Sequence, residues 1–218
     1  MMGAVAVKSY ILPQVDLREV LRYAACREMA EDVTALAREV MLLAENSLRP
    51  QVCWREVEIS VEGDTVVFPF GRAQSQKLAQ RLEGCQRAVI FAATVGLELD
   101  RLIARYGRLS PAKGLMLQAL GSERIEALCD AFCEDLAREY KQTKPLFSPG
   151  YGDLPLAFQK ELFRVLECDR RIGLYLNESL LMSPSKSVTA IVRLGGAAED
   201  CQSGCSACSK TDCGFRRM

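Results

Sequence analysis

Four cysteines lie close together near the end of the sequence, in a pattern suited to metal binding. Cys201, Cys205, Cys208 and Cys213 fall within thirteen residues, separated by three, two and four positions. Small residues between them let the chain fold around an ion. Four thiolates suit zinc or a [4Fe-4S] cluster. Spacing alone does not separate these two from a metal-free or redox-active tail, so all three interpretations stay open.

The chain contains no histidine, and this excludes several common kinds of active site. Ser-His-Asp and Cys-His nucleophilic sites, a histidine general base and histidine-containing metal sites are all ruled out. A metal would have to bind cysteine or carboxylate. The other six cysteines are scattered, and we predict that they are small buried residues.

A second candidate site is the loop at residues 144–155, between two predicted helices. Pro149 and Gly150 fit the central positions of a type II turn, because proline presets one backbone angle and glycine accepts a positive φ. Tyr151 follows directly and offers a ring face and a hydroxyl. Such a loop can hold a small ligand against main-chain groups. The alternative is a simple structural connector.

Hydrophobic periodicity indicates the elements that position these residues. It predicts helices at residues 27–45, 97–106, 125–140 and 156–166, and residues 72–84 have helical composition. Continuous or alternating apolar residues predict strands at 87–95 and 187–194. A hairpin is predicted from Val57 through the turn Gly63-Asp64 to Phe68.

Helices and strands are mixed, one hairpin favours antiparallel pairing, and no βαβ repeat is found. The sequence therefore predicts a single α+β domain, mainly an antiparallel sheet with packed helices, over residues 1–196. A Cys-rich tail is expected at 197–218.

Charge and targeting signals narrow the expected setting. The 28 basic residues balance 28 acidic ones, so we expect no nucleic-acid partner and no attraction to anionic lipid. The start of the chain lacks the pattern of a signal peptide. The longest apolar run, residues 88–97, is far shorter than the roughly 20 residues that span a bilayer. We expect no membrane segment and a cytoplasmic location.

The order of motifs after residue 125 points to a family. An Ala127-Leu128-Cys129-Asp130 segment precedes Ser148-Pro149-Gly150-Tyr151, and a helix then leads to two further segments. These are Ile172-Gly173-x-x-Leu176-x-Glu178-Ser179 and Met182-x-Pro184-x-x-Ser187-Val188. This order resembles the activation domain of cobalamin-dependent methionine synthase, which carries a Pro-Gly-Tyr loop, a helix, an Ile-Gly-x-x-Leu-Thr-Glu-Ser strand and a Met-x-Pro-x-x-Ser-Val segment. The resemblance is specific from about residue 125 to 192.

The resemblance implies an S-adenosylmethionine site that serves reductive remethylation of oxidised cobalamin, in support of methionine biosynthesis. The residues that it implies for binding S-adenosylmethionine are Ser148, Pro149, Gly150, Tyr151, Glu178, Met182 and Ser187. The cobalamin module of the family binds cobalt through a histidine, which this chain lacks. The expected partner is therefore a separate cobalamin-binding methionine synthase or corrinoid protein, with an electron donor.

One position departs from the family pattern. The family loop reads Arg-x-x-x-Gly-Tyr, with the arginine contributing to recognition of S-adenosylmethionine, and this chain has Leu146 there. Lys144 is two residues earlier and cannot reproduce a planar bidentate clamp. Two alternatives therefore remain: a non-catalytic docking module, or an iron-sulfur electron-transfer protein for a corrinoid methyltransferase.

Overall fold

A computed structural model describes residues 2–26, 30–140 and 146–195. The helices in these ranges are α1 (Leu17–Tyr23), α2 (Glu31–Ala44), α3 (Gln76–Leu82), α4 (Leu97–Leu109), α5 (Pro111–Tyr140), α6 (Gln159–Leu166) and α7 (Cys168–Ile172). Short 3-10 turns cover Glu45–Ser47 and Leu156–Phe158. The strands are β1 (Ala6–Ser9), β2 (Gln51–Glu58), β3 (Ser60–Glu62), β4 (Thr65–Phe68), β5 (Gly71–Gln74), β6 (Arg87–Thr94), β7 (Tyr175–Leu176), β8 (Met182–Ser183) and β9 (Ser187–Leu194).

The centre of the fold is a four-stranded antiparallel sheet in the order β1-β2-β6-β9. The register places Trp54 opposite Phe91 and Phe91 opposite Ala190. Strand β6 is buried along nearly its whole length, because both faces of the sheet are covered. This confirms the predicted buried strand at 87–95 and the predicted antiparallel α+β architecture.

Each face of the large sheet carries its own hydrophobic core. Helices α1, α2, α4 and α5 cover one face, which we call the helical face. There the Phe132 ring lies between Phe91 and Trp54, at centroid distances of 4.8 and 5.4 Å. Helices α3, α6 and α7 cover the opposite face together with the small sheet β3-β4-β5. The strand alternation explains this division, since successive side chains point to opposite faces.

The long helix α5 begins at Pro111, fourteen residues before the predicted start. Proline is favoured in the first turn of a helix, because its missing N–H would have no partner there. Gly114 and Gly121 weaken the helical pattern of this part of the sequence. The structure explains Gly114: a Cβ atom there would lie 2.8 Å from the Gly107 Cα, so glycine allows α4 and α5 to approach closely.

Two predicted element boundaries were wrong. Val57 belongs to β2 of the large sheet, and only 60–68 form the predicted hairpin. The chain leaves the large sheet at Ile59, whose N–H donates to the Gln86 carbonyl at 2.9 Å. The stretch 72–84 begins as strand β5, and helix α3 starts only after Ser75, whose side chain accepts from the Leu78 N–H.

The segment Ile172–Ser179, which the family resemblance implied to be a strand, is mostly irregular. Ile172 ends α7, Gly173 follows in the left-handed region at φ +62°, and only Tyr175 and Leu176 pair with β8. Across the described ranges, no helix combines the length and the apolar composition needed to cross a bilayer.

Candidate functional site

The candidate loop is attached to the outer edge of β9. The Phe147 N–H donates to the Ile191 carbonyl at 3.0 Å, and the Ile191 N–H donates back at 2.9 Å. The Phe147 side chain is buried in the core opposite the helical face, whereas Leu146 packs against the core of the helical face. These two neighbouring side chains therefore hold the start of the loop from both sides of the sheet.

The turn at the tip of the loop has the geometry that its sequence predicts. The Tyr151 N–H donates to the Ser148 carbonyl at 3.1 Å, which closes a β-turn with Pro149 and Gly150 in the centre. Gly150 has φ +87°, as a type II turn requires. The Gly150 N–H donates to the Leu154 carbonyl, and the Leu154 N–H donates to the Tyr151 carbonyl. The predicted type II turn is confirmed, and its backbone is internally braced.

Asp153 joins the loop to helix α3. Its carboxylate accepts from the Ser75 hydroxyl and from the backbone N–H groups of Gln76 and Lys77, at 2.8 Å and 3.3 Å for the two N–H groups. The hydrogen bond from Ser75, with the backbone N–H groups after it, lowers the pKa of Asp153. The carboxylate therefore satisfies the N–H groups at the start of α3 and fixes that helix beside the turn.

The Tyr151 ring lies at the surface of the loop. It is 70% exposed, so it does not point into the packed interior. Leu156 is also exposed and lies directly beside the turn, since a Cβ atom on Gly150 would be 3.2 Å from its Cδ1. Together they form a partly apolar surface next to rigid backbone.

The other predicted ligand residues have different surroundings. Glu178 is exposed, in a turn whose Leu180 carbonyl accepts from the Gln159 side chain at 3.2 Å. That contact places the turn beside the start of α6, one helical turn after Leu156. Met182 is half-buried and packs against the core opposite the helical face.

Ser187 lies at the beginning of β9 and is buried. Its hydroxyl donates to the Pro184 carbonyl at 2.8 Å and lies 2.9 Å from the Thr94 hydroxyl. Along β9 it is four residues from Ile191, a distance of about 13 Å. Ser187 is therefore distant, along the strand, from the residue of β9 that pairs with Phe147. Its role in ligand binding stays a prediction, as do those of Glu178 and Met182.

Cys201, Cys205, Cys208 and Cys213 lie outside the described residues. Among the residues that are described, no group of three or more metal-binding side chains is found. Six free cysteines are described, and four of them are buried, as predicted: Cys53, Cys85, Cys129 and Cys168. Cys26 and Cys133 are only partly buried, and burial raises the pKa of Cys133 to about 12. None of these six described thiols is exposed.

Two basic residues beside the loop were not singled out by the sequence. Lys77 and Arg81 of α3 border it: the Lys77 stem lies against Gly152, and the Arg81 guanidinium carbon is 5.3 Å from the centre of the Phe147 ring. Their spacing of four residues places both on one side of the helix. No local pattern indicates that this helix packs on a loop some seventy residues further along the chain.

A cleft lies at the opposite edge of the large sheet, between β1 and the end of α5. Its volume is about 420 Å³, and Trp54 and Asp135 are among its lining residues. The Asp135 carboxylate is paired with Lys8, accepts from the Tyr10 hydroxyl at 2.8 Å and from Arg138 at 2.9 Å. The hydrogen bond from Lys8 is the main cause that lowers the pKa of Asp135.

The fold belongs to the class in which helices cover both faces of an antiparallel sheet. Within this class the chain is similar to a solved structure described as the MetH reactivation domain bound to AdoHcy, with a TM-score of 0.68. The two share 16% sequence identity, and the match covers 90% of this chain and 80% of that one. No family model matches the sequence, and no curated protein matches it. The likeness confirms the expected fold.

Proposed function

We propose that the chain binds S-adenosylmethionine at the loop 148–153 and supports reductive remethylation of cobalamin held by a separate partner. The observation that carries this proposal is the likeness of the whole fold to a reactivation domain whose structure contains AdoHcy. The rigid Pro149-Gly150-Tyr151 turn at the edge of the sheet adds to it. S-adenosylhomocysteine is what remains of S-adenosylmethionine once the methyl group has left.

The loop suits a ligand with a flat ring and a polar chain. The exposed Tyr151 ring offers a face for stacking of an adenine base, and Leu156 extends the apolar surface beside it. The turn is already hydrogen-bonded, so little conformational entropy is lost when a ligand orders against it.

The chemistry itself belongs to the ligand and the partner. A sulfonium gives up its methyl group to reduced cobalt, the C–S bond breaks, and a neutral thioether remains. The cobalt must first accept an electron from a donor. This chain would bind the sulfonium compound and present it to the partner, because it has no histidine with which to hold cobalt.

A surface for that partner surrounds the start of α6. Tyr151, Leu156, Tyr175 and Leu181 are large apolar or aromatic side chains with exposed fractions of 43% or more. Their segments are joined by the contacts of Gly150 with Leu156 and of Gln159 with the Leu180 carbonyl. Exposed apolar side chains gathered around one element favour an interaction site.

Calorimetric titration with S-adenosylmethionine, with and without a cobalamin-loaded partner, tests the proposal. Tyr151→Ala should weaken binding at least fivefold, because stacking on an aromatic ring contributes about 1–3 kcal/mol per base. Tyr175→Ala removes a similarly exposed tyrosine from β7 and should keep wild-type affinity in the titration without partner. Absence of heat in both wild-type titrations would contradict ligand binding.

A second candidate function is a docking module that no longer binds S-adenosylmethionine. The packing of Leu146 against the helical-face core favours it, since the family has a ligand-binding arginine at this position. Such a protein would form a complex with the cobalamin protein, measured by analytical ultracentrifugation, and yet give no heat with S-adenosylmethionine.

An iron-sulfur electron-transfer role rests on Cys201, Cys205, Cys208 and Cys213. Anaerobic purification followed by iron, sulfide and zinc assays tests it. A reducible brown protein with iron and sulfide favours electron transfer, stoichiometric zinc favours a structural clip, and absence of all three leaves a metal-free tail.

A further inference from the structure

Two positive charges border the candidate loop on the side of α3. Lys77 and Arg81 lie four residues apart, so they project from the same side of that helix. The start of the helix is bonded to Asp153, which keeps both residues beside the turn. Their place is therefore fixed by the same contacts that fix the loop.

Lys77 crosses the loop at Gly152. A Cβ atom on Gly152 would lie 2.7 Å from the Lys77 Cδ, so the absence of a side chain at Gly152 leaves room for the lysine stem. Gly152 also has φ +60°, which side-chain-bearing residues rarely adopt. Its neighbour in the chain is Tyr151, so the stem contacts the loop one residue after the exposed tyrosine. The Lys77 side chain is itself exposed.

Arg81 is the second cation of the patch, and it lies over the Phe147 ring. Its guanidinium carbon lies 5.3 Å from the centre of the Phe147 ring, whose Cζ is 3.5 Å from the Cβ position of Gly152. Stacking on an aromatic ring holds a guanidinium in place without using its N–H donors. In the part of the chain that the structure describes, no hydrogen bond from those donors is found, so they can bind an anion.

Neither cation has a counterion among the residues that the structure describes. No carboxylate there lies within 4.0 Å of the Lys77 ammonium or the Arg81 guanidinium, whereas Lys8, Lys113 and Arg87 are each paired. The nearby Asp153 carboxylate keeps its negative charge, but its oxygens accept from the start of α3 and form no ion pair with either cation. Two positive charges without a salt bridge to the described residues therefore border the loop.

We infer that Lys77 and Arg81 together bind the carboxylate of the methionine part of S-adenosylmethionine. This inference rests on the proposed function. A guanidinium and an ammonium converging on one carboxylate form charge-assisted hydrogen bonds, which are stronger than neutral ones. Since both cations border the surface, the contribution decreases as salt concentration rises.

A pair of ligands separates this contribution from general binding. S-adenosylhomocysteine carries the amino-acid carboxylate, and 5′-methylthioadenosine has the same nucleoside and a thioether but no carboxylate. Calorimetry gives the dissociation constant of each for wild type, Lys77→Gln, Arg81→Gln and the double variant. Each single substitution should weaken S-adenosylhomocysteine about threefold to fivefold and the double about tenfold, with 5′-methylthioadenosine unchanged.

A matched control exists elsewhere in the chain. Arg105 of α4 lies over the Tyr106 ring at 5.7 Å. Arg105→Gln should leave both dissociation constants unchanged. Raising the salt should weaken S-adenosylhomocysteine in the wild type and much less in the double variant.

The outcomes separate this inference from the function on which it rests. If the wild type binds neither ligand, the proposed function fails and takes the inference with it. If the wild type binds both ligands but Lys77→Gln and Arg81→Gln leave S-adenosylhomocysteine unchanged, the proposed function survives and the inference is overturned. The inference is also overturned if the variants weaken both ligands equally, because the carboxylate would then not be the group that they contact.

Discussion

The two edges of the large sheet are completed by different interactions. At the β9 edge, Phe147 pairs through its backbone with Ile191, its ring is buried, and Asp153 binds neutral N–H and O–H donors. At the β1 edge, no further strand is described alongside β1, and the neighbouring contacts are between the charged side chains Lys8, Asp135 and Arg138. The segment added outside β9 is held by burial and backbone bonding, whereas the side-chain contacts beside β1 are between charges that water can screen.

This difference bears on where a binding site can be built. A loop fixed by buried contacts and backbone hydrogen bonds keeps its shape before a ligand arrives, which lowers the entropy lost on binding. Charged pairs at the surface contribute little to stability and depend on salt. The β9 edge is thus the more suitable of the two for a preorganised site.

Removing the Phe147 ring from the β9 edge should change the free energy of unfolding more than any other substitution proposed for the two edges. Phe147→Ala should lower the free energy of unfolding by about 3 kcal/mol, because a nearly buried aromatic ring is lost and a cavity remains. Urea unfolding measures the change. Val7→Ala on β1, where the side chain is 42% exposed, should cost about 0.5 kcal/mol or less. Equal costs for the two variants would mean that the edges do not differ as described.

Much of the fold follows from the sequence because its signals are local. The apolar run at 87–95 and the alternation at 187–194 each report the burial of their own strand. The strand β5 was missed because Arg72 and Gln74 look helical in isolation, and only pairing with β4 selects the extended form. Likewise, the glycines of α5 weaken its pattern, although Gly114 is needed for contact with α4.

In the candidate site too, features encoded by neighbouring residues are predicted from the sequence, and features that depend on distant contacts are not. Pro149 and Gly150 encode their turn within four residues, so the sequence predicts it. The contact of Asp153 with Ser75 joins residues 78 positions apart, and no spacing rule reaches that far. Lys77 and Arg81 became part of the candidate site only through this contact. The sequence thus predicts the shape of the turn but not the charges around it.

Asp153 tests how the loop is attached to α3. Asp153→Ala removes the acceptor for Ser75, Gln76 and Lys77, and the melting temperature should fall by roughly 2–4 °C, as for loss of a helix cap in a chain of this size. Limited proteolysis should cut the loop faster. Asp153→Asn keeps one oxygen acceptor, so its melting temperature should lie between those of the wild type and Asp153→Ala. If Asp153→Ala melts like the wild type, the contact between Asp153 and α3 does not contribute measurably to holding the loop.

The melting-temperature difference between the wild type and Asp153→Ala should depend on pH in a defined direction. The pKa of Asp153 is lowered in the folded chain, so its contribution is fully present above the ordinary value of 3.8. The contribution disappears as the pH falls through the lower pKa of the folded state. The gap in melting temperature between wild type and Asp153→Ala should therefore be constant near neutral pH and close only below about pH 4.

The smallest predicted effect compares the two carboxylates directly. Both Asp135 and Asp153 have a lowered pKa, but Lys8 is the main cause at Asp135, and a neutral hydroxyl is the main cause at Asp153. Raising the salt from about 0.1 M to about 1 M shortens the screening length from about 10 Å to about 3 Å. The pKa of Asp135, followed by carboxyl carbon NMR, should rise toward its ordinary value, while that of Asp153 should barely move. Lys8→Gln should remove most of the change in the Asp135 pKa with salt. If salt changes the pKa of both carboxylates equally in the wild type, the two edges depend on charge to the same degree.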